Sequence, residues 1–363
     1  MAEYTRIQYF LGANSPSGFY SLYDQLISTE TAVRIYILKG GPGCGKSTLM
    51  RRVSQLLEQE GVPAEHILCS GDPDSLDGVV FHGLNAALVD GTSPHVVEPG
   101  CPGAVDSYVN LGDCYDREGL GDVRREIMAC MKGYKGCYQS AYRCLNAASQ
   151  IRADMRAILL TQSLSHRLAR RAEGILSREI KPRRGEQPGQ VKQRFLGAVT
   201  HRGPVCLFQT AFAQCQRIYE LSDPYGLAHD MLTHLLSGAV RGGYDVVACP
   251  DPMAPDRLAH LIIPQLSLAF LSTGQGVSLP GKSYRRVRLD AMADQELMRR
   301  NRPRLRFARK VSAALVEEAV ESLARAKKMH DQLEALYNPY VDFEQVDRTA
   351  RRIAEELLAL KPE

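Results

Sequence analysis

The amino-acid sequence predicts an α/β fold made of two tandem three-layer modules, each carrying a helical hairpin as an appendage. Two observations lead to this prediction: a glycine-rich segment at residues 40–47, between an apolar run and a helical segment, and an internal repeat that returns 185 residues later. The composition agrees, because 363 residues that are 44% apolar and 24% charged are enough for two hydrophobic cores. We expect module boundaries at 1–184 and 191–363, on either side of a linker in the proline-, glycine- and charge-rich segment 181–190.

The glycine-rich segment matches the phosphate-binding loop (P-loop) pattern G-x-x-x-x-G-K-[ST] in full. It follows the apolar run 33–38, which predicts a strand, and it precedes a helical segment, which is the setting that the motif requires. Glycines let successive backbone N–H groups converge on phosphate oxygens, and the helix adds its positive N-terminal end. We expect the nucleotide to be bound by Gly40, Gly41, Pro42, Gly43, Cys44, Gly45, Lys46, Ser47 and Thr48.

The residue types in this loop predict ATP and Mg²⁺ as the ligands. Lys46 is placed to reach the β and γ phosphates, and the Ser47 hydroxyl is placed to ligate Mg²⁺. A second metal ligand in such proteins is a carboxylate at the end of a strand, and the apolar run 86–89 ends in Asp90. We therefore expect Ser47 and Asp90 to be the metal ligands. Gly91 follows Asp90, so the acid pair of the AAA+ ATPases is absent.

A loop with three carboxylates, Asp72, Asp74 and Asp77, follows the predicted strand 65–69. Loops at the carboxyl ends of strands line the ligand crevice of doubly wound sheets, and Asp74 is the preferred candidate for ordering metal-bound water or a nucleophile. Ordinary turn chemistry is the alternative for all three acids. The predicted catalytic residues are thus Lys46, Asp90 and Asp74. His95 and Glu98 are interpreted as loop residues.

The internal repeat indicates that the same module occurs twice. Phe10-Leu11-Gly12-Ala13 recurs as Phe195-Leu196-Gly197-Ala198, and Arg34-Ile35-Tyr36 recurs as Arg217-Ile218-Tyr219 at a shift of 183. At that shift the first loop's Gly40, Gly43, Gly45, Lys46 and Ser47 fall on Asp223, Gly226, Ala228, His229 and Asp230. The lysine is lost and carboxylates are gained, which disfavours a triphosphate. The second module is expected to complete the fold by packing; the alternative is that it lends residues to the first site.

Helical patterns follow each predicted sheet, at 116–180 in the first module and at 311–337 and 343–360 in the second. Each module has a basic cluster late in its sequence, within 167–184 and within 285–310, that is interpreted as a solvated helix face. A nucleic-acid contact and an anion-clamping lid are the alternatives, and the net charge of only +4 does not favour nucleic acid. The ten cysteines contain no C-x-x-C pair, which argues against a zinc or thioredoxin-like centre.

The chain contains no run of 18 apolar residues, and the segment 1–10 lacks the basic start and apolar stretch of a signal peptide. We therefore expect a cytoplasmic protein with no membrane partner.

Several segments together resemble a family of uncharacterised tandem P-loop ATPases from Gram-positive bacteria. They are F-L-G-A followed by G-F-Y-S-L, the loop I-L-K-G-G-P-G-C-G-K-S-T-L-M, D-P-D-S-L-D-G-V, L-V-D-G-T-S-P-H and P-G-A-V-D. The resemblance extends over nearly the whole chain and implies two P-loop modules with ATP bound through Gly40 to Thr48 and Asp90. Members of the family often keep a recognisable loop in the second half, whereas this chain departs from it at Asp223, His229 and Asp230. The resemblance implies no substrate.

The function expected from the sequence is a Mg²⁺-dependent ATPase with one active nucleotide site, whose cycle moves the helical hairpin as a switch toward a protein partner. A small-molecule or nucleotide kinase is the first alternative, with Asp74 orienting an acceptor hydroxyl. A nucleic-acid-associated NTPase using the basic helices, or a nucleotide-stabilised scaffold, is the second.

Overall fold

The computed structural model describes residues 6–28, 30–183, 187–274 and 276–361. The predicted linker 181–190 includes residues 184–186, which lie outside this described part.

The N-terminal half of the chain contains eight strands and four helices within the described residues. They are β1 (Ile7–Phe10), β2 (Gly12–Ser15), β3 (Gly18–Ser21), β4 (Arg34–Lys39), α1 (Lys46–Gln59), β5 (Glu65–Leu68), β6 (Leu76–Phe81), β7 (Ala86–Asp90), β8 (Asp106–Asn110), α2 (Arg117–Asp122), α3 (Arg124–Leu159) and α4 (Gln162–Glu179).

The C-terminal half repeats this order with small changes. Its elements are β9 (Val191–Gln193), β10 (Gly197–Thr200), β11 (Gly203–Cys206), α5 (Phe208–Gln214), β12 (Arg217–Ser222), α6 (Ala228–Arg241), β13 (Val246–Asp251), β14 (Ala254–Ile263), β15 (Leu268–Thr273), β16 (Arg285–Arg288), α7 (Gln295–Tyr337) and α8 (Phe343–Leu358).

Each half forms a six-stranded mixed sheet with the same strand order, which confirms the α/β class and the two-module repeat. The first sheet has the order β1-β5-β6-β7-β4-β8, and the second has β9-β13-β14-β15-β12-β16. In both sheets the strand before the glycine-rich loop, β4 or β12, pairs in parallel with both of its neighbours. The ends of β4 and β7 therefore lie side by side, which brings the loop after β4 next to Asp90 at the end of β7.

The second loop is one residue shorter than the constant shift of 183 assumes. Strand β12 corresponds to β4 at a shift of 183, whereas α6 and α1, each of 14 residues, correspond at 182. The structural counterpart of Lys46 is therefore Ala228, and the counterpart of Ser47 is His229. This corrects the alignment in which His229 replaces the lysine.

The chain divides into two compact units that do not follow the expected boundary between 184 and 191. The first unit comprises 6–13, 21–140 and 321–361; the second comprises Asn14–Tyr20 and Ala141–Val320. The last helix of each half belongs to the unit built on the other half: α8 packs on α1, and α4 packs on α6. The sequence predicted that the helices of each half attach to the module of that half, whereas α4 and α8 each pack on the other one.

The physical reason is that each terminal helix has an apolar face that must be covered. Leu164, Leu168, Ala172 and Ile175 of α4 are buried in the core of the second unit. In the first unit, α8 buries Val346, Ala350, Ile353, Ala354 and Leu357, and α1 buries Leu49, Met50, Val53 and Leu57. Amphipathic helices take most of their stability from such packing.

Candidate functional site

The glycine-rich loop of the first unit connects β4 to α1 and has the backbone geometry of an anion-binding turn. Gly43 has φ +70° and Gly45 has φ +86°, a left-handed region in which a side chain is strained. A Cβ at Gly43 would lie only 3.1 Å from the Glu334 carbonyl oxygen. Among the described residues, no acceptor binds the N–H groups of Gly43 and Gly45. These donors can therefore receive an anion.

Lys46, the first residue of α1, folds back over the loop. Its Nζ donates hydrogen bonds to the carbonyl oxygens of Gly40, at 2.9 Å, and Gly41, at 2.8 Å. The same nitrogen lies 3.7 Å from Oδ2 of Asp90, and both side chains are nearly buried, at 12% and 11% exposure. The structure thus brings the predicted cation and the predicted metal-binding carboxylate together.

Ser47 and Asp90, the two predicted metal ligands, each have a side-chain oxygen held by a hydrogen bond close to Lys46 in sequence or in space. The Ser47 Oγ accepts a hydrogen bond of 2.9 Å from the backbone N–H of Leu76, which fixes the hydroxyl against the start of β6. Asp90 uses Oδ1 to accept bonds from the Thr92 N–H and hydroxyl, so its Oδ2 is the oxygen that faces Lys46. Cys44 is buried beneath the loop, and Thr48 is exposed on α1.

Of the three acids in segment 70–78, the structure places Asp77 in the interior and leaves Asp74 exposed in the turn. The turn ends earlier than the sequence suggests, because β6 begins at Leu76 and Asp77 already belongs to a strand. The Tyr23 hydroxyl donates to Asp77 Oδ2 at 3.0 Å, and the His95 Nε2 lies 3.3 Å from the same oxygen.

This buried cluster lies next to Asp90. Burial raises the pKa of Asp77, His95 opposes the rise, and the charge of Asp90 adds to it. Cys69, Asp77 and His95 also hold ligand-type atoms within 4.8 Å of one another. Sequence reasoning preferred Asp74 and set His95 aside; the usable signal was Asp77 beside the apolar residues 79–81, which marks a strand rather than a turn.

The loop of the first unit is enclosed by residues from the C-terminal end of the chain, a feature that the sequence did not indicate. A Cβ at Gly45 would lie 3.2 Å from Val346 Cγ1, and one at Gly41 would lie 3.7 Å from Tyr337 Cε1. Tyr115, from the N-terminal half, also packs here, since the same Gly41 Cβ would lie 2.8 Å from its hydroxyl oxygen. The Tyr115 hydroxyl is itself buried, with no hydrogen-bond partner of good geometry among the described residues. The loop is therefore held from outside by packing, and substitution of its glycines would disturb that packing.

The corresponding loop of the second unit is occupied by one of its own side chains. Asp223 Oδ1 accepts a hydrogen bond from the Leu227 N–H at 2.8 Å, and Oδ2 accepts one from the Ala228 N–H at 2.7 Å. Burial raises the pKa of the Asp223 carboxyl, and the N–H groups of residues 225–228 act in the opposite direction. The Asp223 carboxylate thus accepts the N–H groups at the end of this loop, and Ala228 provides no cation.

His229 takes over the structural task of Ser47. Its Nδ1 accepts a hydrogen bond of 2.9 Å from the Leu258 N–H, as the Ser47 hydroxyl does from Leu76 in the first unit. This contact between the start of the helix and the neighbouring strand is preserved in both units, whereas the lysine of the first loop is not.

Comparisons of the chain with protein-family models, with curated proteins and with solved structures found no match. Within the described residues, no helix combines the length and the apolar character that crossing a membrane requires.

Proposed function

We propose that the first unit binds ATP with Mg²⁺ at residues 40–48 and hydrolyses the bound nucleotide. One observation carries this proposal: the N–H groups of Gly43 and Gly45 have no acceptor in the described residues, and they lie beside the Lys46 and Asp90 pair. The repeat offers an internal contrast, because the matching donors of the second unit are already bound by Asp223.

Lys46 has a clear role in this proposal. Its ammonium group is held by the carbonyl oxygens of Gly40 and Gly41, two neutral acceptors. Phosphate oxygens are anionic acceptors, and charge-assisted hydrogen bonds to them are about twice as strong as neutral ones. The lysine therefore exchanges these carbonyl contacts for the phosphate chain when the nucleotide binds.

Ser47 and Asp90 would hold the metal ion, since a hydroxyl and a carboxylate are oxygen ligands of the kind that Mg²⁺ prefers. The second lone pair of the Ser47 Oγ remains available after the bond from the Leu76 N–H. When bound, the metal ion supplies neutralisation of the charge that develops on the phosphates. Asp90 Oδ2 contributes the protein's negative charge to this site while it still faces Lys46.

Hydrolysis is favoured over transfer to an acceptor by the position of the acids. A kinase needs a carboxylate that orients the acceptor hydroxyl, and the candidate for that role, Asp74, is exposed in a turn. The buried Asp77, with His95 and Tyr23 around it, is the acid whose charge interacts with Asp90. We assign Asp77 to orienting water near the metal-binding carboxylate.

The test compares wild type with Lys46→Ala. ATP binding is measured by calorimetry in the presence of Mg²⁺, and turnover is measured as release of phosphate. Loss of a charge-assisted contact is expected to weaken ATP binding at least about tenfold and to remove turnover. The control is Lys132→Ala, which deletes the same group at an exposed position of α3 in the first unit and should leave both quantities unchanged. Equal ATP affinity in wild type and Lys46→Ala would overturn the proposal.

A further inference from the structure

The second unit contains a cavity of about 130 Å³ beside its shortened loop. Its lining is partly apolar, with Val199, Met253 and Val277, and includes His229 from the first turn of α6. An engineered cavity of about 150 Å³ admits benzene, so the space suits a group of about six heavy atoms. Ligand sites usually combine such an apolar wall with a few converging polar groups.

The polar groups that converge here are mainly arginines. Arg152 and Arg156 lie one turn apart on α3 and both line the cavity, together with Arg257 from β14. Arg152 donates from Nε to the Ser312 hydroxyl at 3.1 Å, and the Arg156 guanidinium makes no hydrogen bond or ion pair with any described residue. Burial lowers the pKa of both groups, and Arg257 adds to the effect at Arg156. The charge of Asp251 opposes the shift at both arginines, and Asp256 and Asp223 also oppose it at Arg156.

The carboxylates of this region are already engaged. Asp223 accepts the N–H groups of the loop, Asp251 accepts the Met253 N–H at 2.9 Å, and Asp230 lies 3.6 Å from the Arg257 guanidinium. Arg156 therefore has the charges of Asp251, Asp256 and Asp223 in its surroundings, and no described carboxylate contacts it directly. A small anionic ligand in the cavity would supply that direct contact.

His229 adds a donor to the same wall. Because Nδ1 accepts the Leu258 N–H, the neutral ring carries its proton on Nε2. Burial, with Arg257 and Arg156, lowers the pKa of His229 against the pull of its acidic neighbours, which favours this neutral form.

A wider basic cleft of about 540 Å³ adjoins the cavity and shares Arg152, Pro204 and Val316 with it. Arg306, Arg309 and Lys310 of α7 line this outer cleft, and Glu317 is its acidic residue. Positive charge around an opening attracts anions and raises their association rate. The inner cavity and the outer cleft thus favour the same sign of charge.

We propose that the second unit binds a small organic oxyanion, a phosphomonoester or a dicarboxylate, with one anionic group held by Arg152, Arg156 and His229. The nucleotide-binding loop of this half has been closed by Asp223, and the space beside it serves a different, smaller ligand. A nucleoside triphosphate is too large for the inner cavity.

The test is equilibrium dialysis of the full chain with three probes: inorganic phosphate, glycerol 3-phosphate and succinate. We expect one bound probe per chain in the Lys46→Ala background, which removes the first unit's main phosphate-binding cation. Arg156→Gln should weaken binding about tenfold or more, and Arg156→Lys should weaken it less. The control Arg170→Gln, on the exposed side of α4, should bind as wild type does. The preferred probe separates a phosphomonoester from a dicarboxylate.

The temperature of thermal unfolding, measured with and without the probe, gives a second test of the site. Without anion, Arg156→Gln should unfold at nearly the same temperature as wild type, since the variant removes both the burial cost of the guanidinium and its attraction to the nearby acids. Addition of the preferred probe should raise the unfolding temperature of wild type and not of the variant. The proposal is overturned if none of the three probes binds at millimolar concentration or if Arg156→Gln binds like wild type. Binding that is present in wild type and lost in Lys46→Ala would also overturn it, by assigning the anion to the first unit, and this outcome supports the ATP site.

Discussion

The Lys46 ammonium nitrogen lies 3.7 Å from Oδ2 of Asp90, across the paired ends of β4 and β7. Both side chains are largely removed from water, so their attraction is stronger than that of a surface pair, and loss of either one leaves an uncompensated charge. The two residues to which we assign phosphate and metal binding are therefore already paired with each other in this structure.

Asp90→Asn should separate the metal's contribution from that of the nucleotide. The amide keeps the shape of the side chain and loses its charge, so we expect Mg²⁺ to enhance ATP binding about tenfold less than in wild type. Affinity measured in EDTA should change less. The exposed Asp122→Asn, at the end of α2, is the matched control. Superimposable magnesium titrations of wild type and Asp90→Asn would rule out this metal role.

The strands around the first loop could be predicted because their signals are local. The apolar runs 33–38 and 86–90 mark β4 and β7 to within a residue. Asp77 was named as a candidate and ranked below Asp74 for an equally local reason: a loop assigned to 70–78 is three residues too long and places a buried strand residue on the surface. All six residues of β6 are buried, so assigning its first residues to a turn changes which acid is expected in the interior.

The partners of α4 and α8 could not be predicted from the sequence. Their apolar faces indicate that each helix is buried, but such a face could pack on α1 or on α6 equally well. The structure decides between these two partners: α8 packs on α1, and α4 packs on α6. The shortened second loop was hidden in the same way, because a single deletion is visible only when both α1 and α6 are located.

The chain should bind one nucleotide, not two. Asp223 occupies the donors of the second loop, and Ala228 stands where the first loop has Lys46. Native mass spectrometry with ATP and Mg²⁺ should show a single bound nucleotide in wild type and in Asp223→Ala, because removal of the carboxylate does not restore the lysine or the missing residue. Lys46→Ala should show none. Two nucleotides of comparable affinity on wild type would refute this expectation.

Acid should destabilise the first unit through His66. The ring is buried against the Ser54 hydroxyl at 2.7 Å, and burial lowers its pKa from 6.5 to about 4. Between these values the unfolded chain binds a proton that the folded chain does not, so stability falls as the pH falls below 6.5. The full effect is about 3 kcal/mol.

Urea unfolding between pH 4.5 and 7.5, roughly the range set by this shift, measures the prediction. His66→Gln should flatten the slope of unfolding free energy against pH, whereas the exposed His166→Gln should keep the wild-type slope. An unchanged slope in His66→Gln would show that another group causes the acid sensitivity.

The composition of the two units can be tested with one substitution in each terminal helix. Leu357 of α8 and Leu168 of α4 are both fully buried, and truncation of such a leucine costs about 2–5 kcal/mol. Because α8 packs on α1, Leu357→Ala should accelerate amide hydrogen exchange in α1; Leu168→Ala should accelerate it in α6 instead. Peptide-resolved hydrogen exchange, measured by mass spectrometry, distinguishes the two patterns.

The same measurement tests the nucleotide site. ATP should slow exchange in α1 of wild type and leave α6 unchanged, since the proposed nucleotide site begins at Gly40 and continues into α1. If Leu357→Ala affected α6 rather than α1, the assignment of the C-terminal helix to the first unit would be wrong.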